Sequence, residues 1–166
     1  MMRVDYSPDC HGTREIGRDG DFIAYNNGTV LDTRTNLMWA AKDNGYGINW
    51  QDAKNYCKNY WGGGYQDWRM PTVDELAGLY DEGKRSELEL DNDFEIHLTE
   101  LIRLTDWWPW ASETYGSEDA YNFSFLSSLC LWNPQSYHSR VLPVRRVALH
   151  PFVQGMLEYA ECWATP

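Results

Sequence analysis

Residues 64–76 read GYQDWRMPTVDEL, and the second half of that stretch spells the start of a helix. Pro71 precedes Thr72, whose hydroxyl suits an N-cap, and Glu75 follows three positions later. That spacing lets the Thr72 hydroxyl accept from the Glu75 amide while the Glu75 carboxylate reaches back to the Thr72 amide, a capping box. Met70 and Leu76 flank the cap as a hydrophobic staple. Leu76, Leu79 and Tyr80 supply the apolar face, and the helix is expected to stop near Gly83. Ahead of the cap, Arg69 can grip a carboxylate with two parallel hydrogen bonds, with Asp67 or Glu75 as partner. Asp67, Trp68, Arg69, Pro71, Thr72 and Glu75 are therefore read as structural, the pivot of a compact domain.

Upstream, the glycines of Trp61–Gly64 end an earlier helix, because they reach positive φ without strain. That helix is capped by Asn49, with Asp52 at its third position. Trp50, Ala53, Tyr56, Cys57 and Tyr60 form its buried stripe, so Cys57 reads as a structural sulfur. Before it, residues 42–48 form a loop. Residues 22–25 and 29–31 read as a hairpin, with Asn27-Gly28 suggesting a type I′ turn. A second turn over 32–36 leads to the apolar strand Leu37–Trp39. Residues 1–21 are polar and broken by glycine and proline, an N-terminal arm.

Downstream, residues 84–100 are acidic and weakly periodic, and fit either a short strand and loop or a brief helix. Residues 112–118 read as a turn. Ala120, Asn122 and Ser124 then alternate with Tyr121, Phe123 and Phe125, a strand with one aromatic face. Asn133-Pro134 suggests a turn and residues 137–147 a last strand pair. Residues 148–166 form a C-terminal extension with the pattern of a short docked helix. The order predicts an α+β domain over 22–147, with two early helices packed on short antiparallel strands, rich in loops.

The chain has 166 residues, the size of one domain, and a formal net charge of -11. With no Lys/Arg-rich run, that charge speaks against nucleic acid and weakens the case for an anionic glycan or membrane. His138, Arg140, Arg145 and Arg146 are close enough for a local basic patch, or are ordinary strand and rim charge. No apolar run is long enough to cross a bilayer. The four cysteines, at 10, 57, 130 and 162, contain no CxxC pair, so no zinc knuckle is suggested. They permit two disulfides in an exported protein and would stay reduced in a cytosolic one. The absence of a charged-then-apolar leader fits a cytosolic chain or an exported one whose leader has been removed.

Gly28-Thr29-Val30, Asp32, Thr35 and Asn36-Leu37-Met38-Trp39, then Trp50, Ala53 and Cys57, then Asp67-Trp68-Arg69-Met70-Pro71-Thr72 and Glu75-Leu76, with Trp110, Ser112 and Val144-Arg145, together resemble the DUF1566 family, also called the Lcl C-terminal domain. The resemblance runs from about Phe22 to Val147. It implies a single C-type-lectin-like domain, exported and extracytoplasmic (periplasmic, secreted or at the cell surface). It also implies a non-catalytic recognition or adhesion role, some members being adhesin heads that bind sulfated glycans. The family often has a cysteine in the final strand that pairs with the helix cysteine. Here Val144 is followed by Arg145 and Arg146, so the resemblance leaves Cys57 to pair with Cys162 or stay free. GYQDWRMPTVDEL is also similar to the GxRLPTEAEWE turn of formylglycine-generating-type domains, although their paired active cysteines are not identifiable.

Trp132-Asn133-Pro134 resembles the Trp-Asn-Asp calcium segment of C-type lectins, but proline stands where the aspartate belongs and no Glu-Pro-Asn segment precedes it. Calcium needs six to eight oxygen ligands, so the segment reads as turn and core, and no metal or cofactor is expected. The histidines at 11, 97, 138 and 150 lack metal-ligand spacing. Recognition is the better class. Tyr115, Tyr121, Asn122, Trp132, Asn133, Gln135, Tyr137, His138 and Arg140 combine rigid aromatic area with adaptable hydrogen bonding. They are the expected contacts for a glycan or protein ligand on a cell surface or matrix. The alternatives are a structural or oligomer-forming module without a small ligand, and a relative of the formylglycine-generating enzymes.

Overall fold

The computed structural model describes residues 12–89 and 93–148. Its elements are β1 (Glu15–Asp19), β2 (Phe22–Tyr25), β3 (Thr29–Asp32), β4 (Leu37–Ala40), α1 (Trp50–Lys58), α2 (Val73–Leu79), β5 (Ser86–Glu87), β6 (Glu95–Ile96), β7 (Trp110–Tyr115), β8 (Asp119–Phe123), β9 (Cys130–Pro134) and β10 (Val144–Arg146). The strands form antiparallel sheets in the orders β1-β2-β3-β4-β10, β5-β6 and β7-β8-β9. This is an α+β fold, small and rich in loops. Among the described residues, no helix is long and apolar enough to cross a membrane.

Both helix starts form as their sequences predict. Asn49 accepts from the Asp52 amide at the head of α1, and Thr72 and Glu75 complete the capping box of α2. α2 ends at Leu79, short of Gly83. The staple does not form: Leu76 packs in the larger core, while Met70 joins Trp50, Ala53 and Cys57 in a smaller one.

Several local expectations are corrected. The N-terminal arm is not all arm, because residues 15–19 pair with β2 and Asp19 is held by Lys84 and Thr99, at 2.5 and 2.6 Å. The β2–β3 turn is not type I′. Tyr25 pairs with Thr29 across three residues, and only Gly28 has positive φ (+80°). That is the three-residue hairpin with glycine in the left-handed position. The expected turn over 112–118 is mostly strand, since β7 runs to Tyr115. Asn133-Pro134 continues β9. The expected strand pair over 137–147 is one strand, β10, with single bridges at Ser139 and Arg140. Residues 148–166 lie almost wholly outside the described residues.

The two cores share walls. In β7, Ala111 faces the larger core and Trp110 the smaller. Phe123 and Ala120 divide in the same way in β8, as do Leu142 and Val141 before β10. Side chains alternate across a strand, so extended segments buried on both faces can serve two cores. Of the acidic 84–100 stretch, residues 84–89 and 93–100 carry a two-residue ladder and bury Leu88, Ile96 and Leu98 in the larger core, which Ile102 and Leu104 also enter.

Candidate functional site

The segment before α2 forms a clasp. Arg69 holds Glu75 bidentately, at 2.8 and 2.6 Å, and Glu75 also accepts from the Thr72 amide at 3.0 Å. Burial pushes the Glu75 carboxyl up, but Arg69, the Thr72 amide and Arg146 outweigh it and leave the group below its ordinary range. Asp67 takes a different partner. Its carboxylate accepts from Arg145 at 2.6 and 3.2 Å, which holds Asp67 low, and the Arg145 guanidinium lies 3.9 Å from the Tyr65 ring centre. The backbones of Arg69 and Val144 exchange two hydrogen bonds, and the Trp68 indole donates to the Gly62 carbonyl. Helix start and last strand are thereby tied together, which leaves the charges of this segment engaged within the fold.

The three-stranded sheet gathers three of the expected contacts. Tyr121 lies directly opposite Trp132, and Tyr115 opposite Asp119, which puts all three rings on one face. The Tyr115 ring centre is 4.8 Å from that of Trp132 and 6.1 Å from that of Tyr121. Tyr115 and Trp132 are each 51% exposed, and Tyr121 is half-buried against the larger core. Glu113, on the strand that carries Tyr115, accepts from the Val73 amide at 3.0 and 3.1 Å and ties this sheet to α2. The aromatic face predicted for this strand lies along the larger core, with Phe123 and Phe125 inside it and Tyr121 half-buried at its edge.

Four other expected contacts have internal duties. Asn122 is fully buried; its amide donates to the Trp108 carbonyl at 3.2 Å and to the Ser139 hydroxyl at 3.1 Å, and accepts from Asn133 at 3.0 Å. The Ser139 hydroxyl also donates to the Trp108 carbonyl. Gln135 donates to the Ser117 and Asp119 carbonyls and closes the sheet end. Arg140 donates to the Thr105 hydroxyl at 2.7 Å, beside Asp43. Buried Asp43 accepts from the Thr105 amide and hydroxyl and from the Gly45 amide; desolvation nevertheless leaves its carboxyl above the ordinary value. Fully buried Asn122 is thus corrected from a ligand contact, and the partly exposed Asn133, Gln135 and Arg140 also hold loops and strands together. The basic patch dissolves for the same reason, since Arg140 and Arg145 face partners within the fold.

Tyr137 and His138 are exposed elsewhere. The Tyr137 ring meets Trp110 edge-on at 6.5 Å, and His138 packs over Gly47. They adjoin a groove that sequence reading misses. Residues Tyr46, Ile48, Tyr56, Tyr60 and Trp61, with Asp52, Asn55 and Asn59, line a volume of about 450 Å³ between α1 and the 46–48 loop. Tyr56 and Tyr60 were legible as part of the helical stripe. Tyr46 and Trp61 fall in glycine-rich loops, where no periodicity reports position.

Neither described thiol is activated. Cys57 is buried and its thiol is pushed up by desolvation; Cys130 is pushed up by burial and then by Glu113. Both are free among the described residues, and Cys10 and Cys162 lie outside them. No group of three or more His, Cys, Asp or Glu is placed to hold a metal among the described residues.

The family model of the Lcl C-terminal domain matches residues 28–145. The chain belongs to that family. The match spans β3 and β4, both helices, the three-stranded sheet and the Asp67–Arg145 clasp of this Lcl C-terminal domain. No curated protein matches the chain.

Proposed function

We propose that the chain is a non-catalytic, C-type-lectin-like recognition domain of an extracytoplasmic protein. Its ligand is a glycan or protein met on a cell surface or matrix. The observation that carries this reading is the aromatic face of Tyr115, Tyr121 and Trp132. Two of the three rings are half exposed, close enough to touch, and held on a sheet that Glu113 anchors to α2. Exposed aromatics on rigid scaffolds lose little conformational entropy on binding, and offer a flat apolar surface with a polar edge. The two described thiols are both raised, which supports recognition over nucleophilic chemistry.

A glycan and protein array probed with the wild-type chain and with a Tyr115→Ala/Trp132→Ala variant tests the reading. The variant should fold normally, because both residues are outside the cores, and should lose binding to the captured ligand at least tenfold. Unchanged binding by a folded double variant would remove the face from consideration.

A further inference from the structure

The groove at α1 lies apart from the sheet face. α1 and the chain that follows it present two parallel rows. Tyr56 and Tyr60 make an aromatic row, with ring centres 5.8 Å apart, and Tyr46 and Trp61 rise at the rim, 55% and 65% exposed. Asp52, Asn55 and Asn59 make a polar row beside them. Neighbours use part of that row: Asn49 donates to Asp52 Oδ2, Gln51 to Asn55 Oδ1, and Asn59 Nδ2 to the Asn55 carbonyl. The other side-chain atoms of these groups (a carboxylate oxygen, an amide NH2 and an amide oxygen) have no partner among the described residues.

The walls are fixed. Tyr60 meets Trp68 edge-on at 5.2 Å, and its ring fills the space that a Cβ would take on Gly62. Only glycine at 62 leaves the ring where it is. Burial, then the neighbouring Tyr60 and Tyr46, push the Tyr56 hydroxyl up to about 12. The volume of about 450 Å³ is within the usual range for small-ligand sites.

We infer that this groove binds a neutral pyranose sugar, with its C–H face on the Tyr56, Tyr60 and Trp61 rings and its hydroxyl rim on Asp52, Asn55 and Asn59. Sugar hydroxyls both donate and accept, which matches a row holding an acceptor-only carboxylate and two amides. A polyproline segment packs on similar rings, but its carbonyls only accept and would meet the Asp52 carboxylate unpaired. No lysine or arginine lines the groove, and Asp52 opposes sulfate or uronate groups. The site is independent of the sheet-face reading.

Titration of the 15N-labelled chain separates the possibilities, with cellopentaose and mannopentaose as neutral probes, a heparin hexasaccharide as an anionic one and a proline-rich decapeptide. A neutral pentasaccharide should shift the Trp61 indole N–H and the amides of 52–61 saturably. Trp61→Ala and Asn55→Ala should each weaken that binding at least tenfold, and both side chains are exposed enough to leave the fold intact. The assignment is overturned if neither neutral sugar saturates those signals, or if heparin or the peptide alone does. It is also overturned if binding survives Trp61→Ala yet disappears with Trp132→Ala, since the sugar would then belong to the sheet face.

Discussion

Buried Asn122 uses both ends of its amide, donating to Trp108 and Ser139 and accepting from Asn133, and so links β8, β9 and the Ser139 bridge. An alanine there leaves the Asn133 amide without this acceptor and opens a gap in the buried position, while the Trp108 carbonyl keeps only its bond from Ser139. Buried groups left unpaired cost about 1–3 kcal/mol each, so Asn122→Ala should lower stability by about 2 kcal/mol or more, read from urea unfolding. Sugar or protein binding per folded molecule should be unaffected. An asparagine between aromatics on an alternating strand carries no mark of which face is buried. That is why the sequence suggested a ligand contact, and why only the packing of β8 reverses the assignment.

At the scale of elements, the glycines after α1 can be told apart by experiment. Gly63 and Gly64 both have positive φ, at +65° and +84°, but an added Cβ at Gly63 would meet Thr29 Cγ2 at 2.7 Å, whereas at Gly64 it meets nothing. The left-handed conformation alone costs an L-residue about 1–2 kcal/mol. Gly64→Ala should therefore cost about 1 kcal/mol, and Gly63→Ala clearly more, because β3 must also give way. Equal unfolding midpoints for the two variants would contradict this packing. The helix starts were legible because capping is local chemistry. Asn49, Thr72 and Glu75 act on amides within three residues, and the structure shows them doing so. The conformation of the acidic 84–100 stretch and the partners of β10 were not, because what orders them is distant. Leu88 and Ile96 are defined by the core they enter, and Val144 by its pairing with Trp39 and Arg69. Arg69 was legible as a carboxylate clamp, but its choice of Glu75 over Asp67 depended on Arg145 arriving from the far end of the chain.

For the whole molecule, acid should be destabilising. Asp19 is held low by Lys84 and Thr99, Asp67 by Arg145, and Glu75 by Arg69 and the Thr72 amide against its burial. Each contributes stability that is present above its unfolded pKa and lost as pH falls through its folded one. Asp43 works the other way. Burial raises it, so its contribution is present below the unfolded value and lost as pH rises through the folded one. Those three depressed groups, with exposed Glu15 also lowered by Arg18, oppose one raised group, and the urea midpoint should fall as the pH drops below the ordinary carboxylate values of about 4. A midpoint that rises on acidification would mean that Asp43 dominates.

β7 and β8, each facing one core with one side and the other core with the other, also set the order in which the molecule comes apart. Neither core can open without baring the shared strands, so amide hydrogens there report only global opening. Deuterium uptake at Ala120–Phe123 should be the slowest among the described residues and should track the full unfolding free energy, while the 46–48 loop exchanges by local fraying. If uptake in β8 runs as fast as in the loops, the two cores open separately.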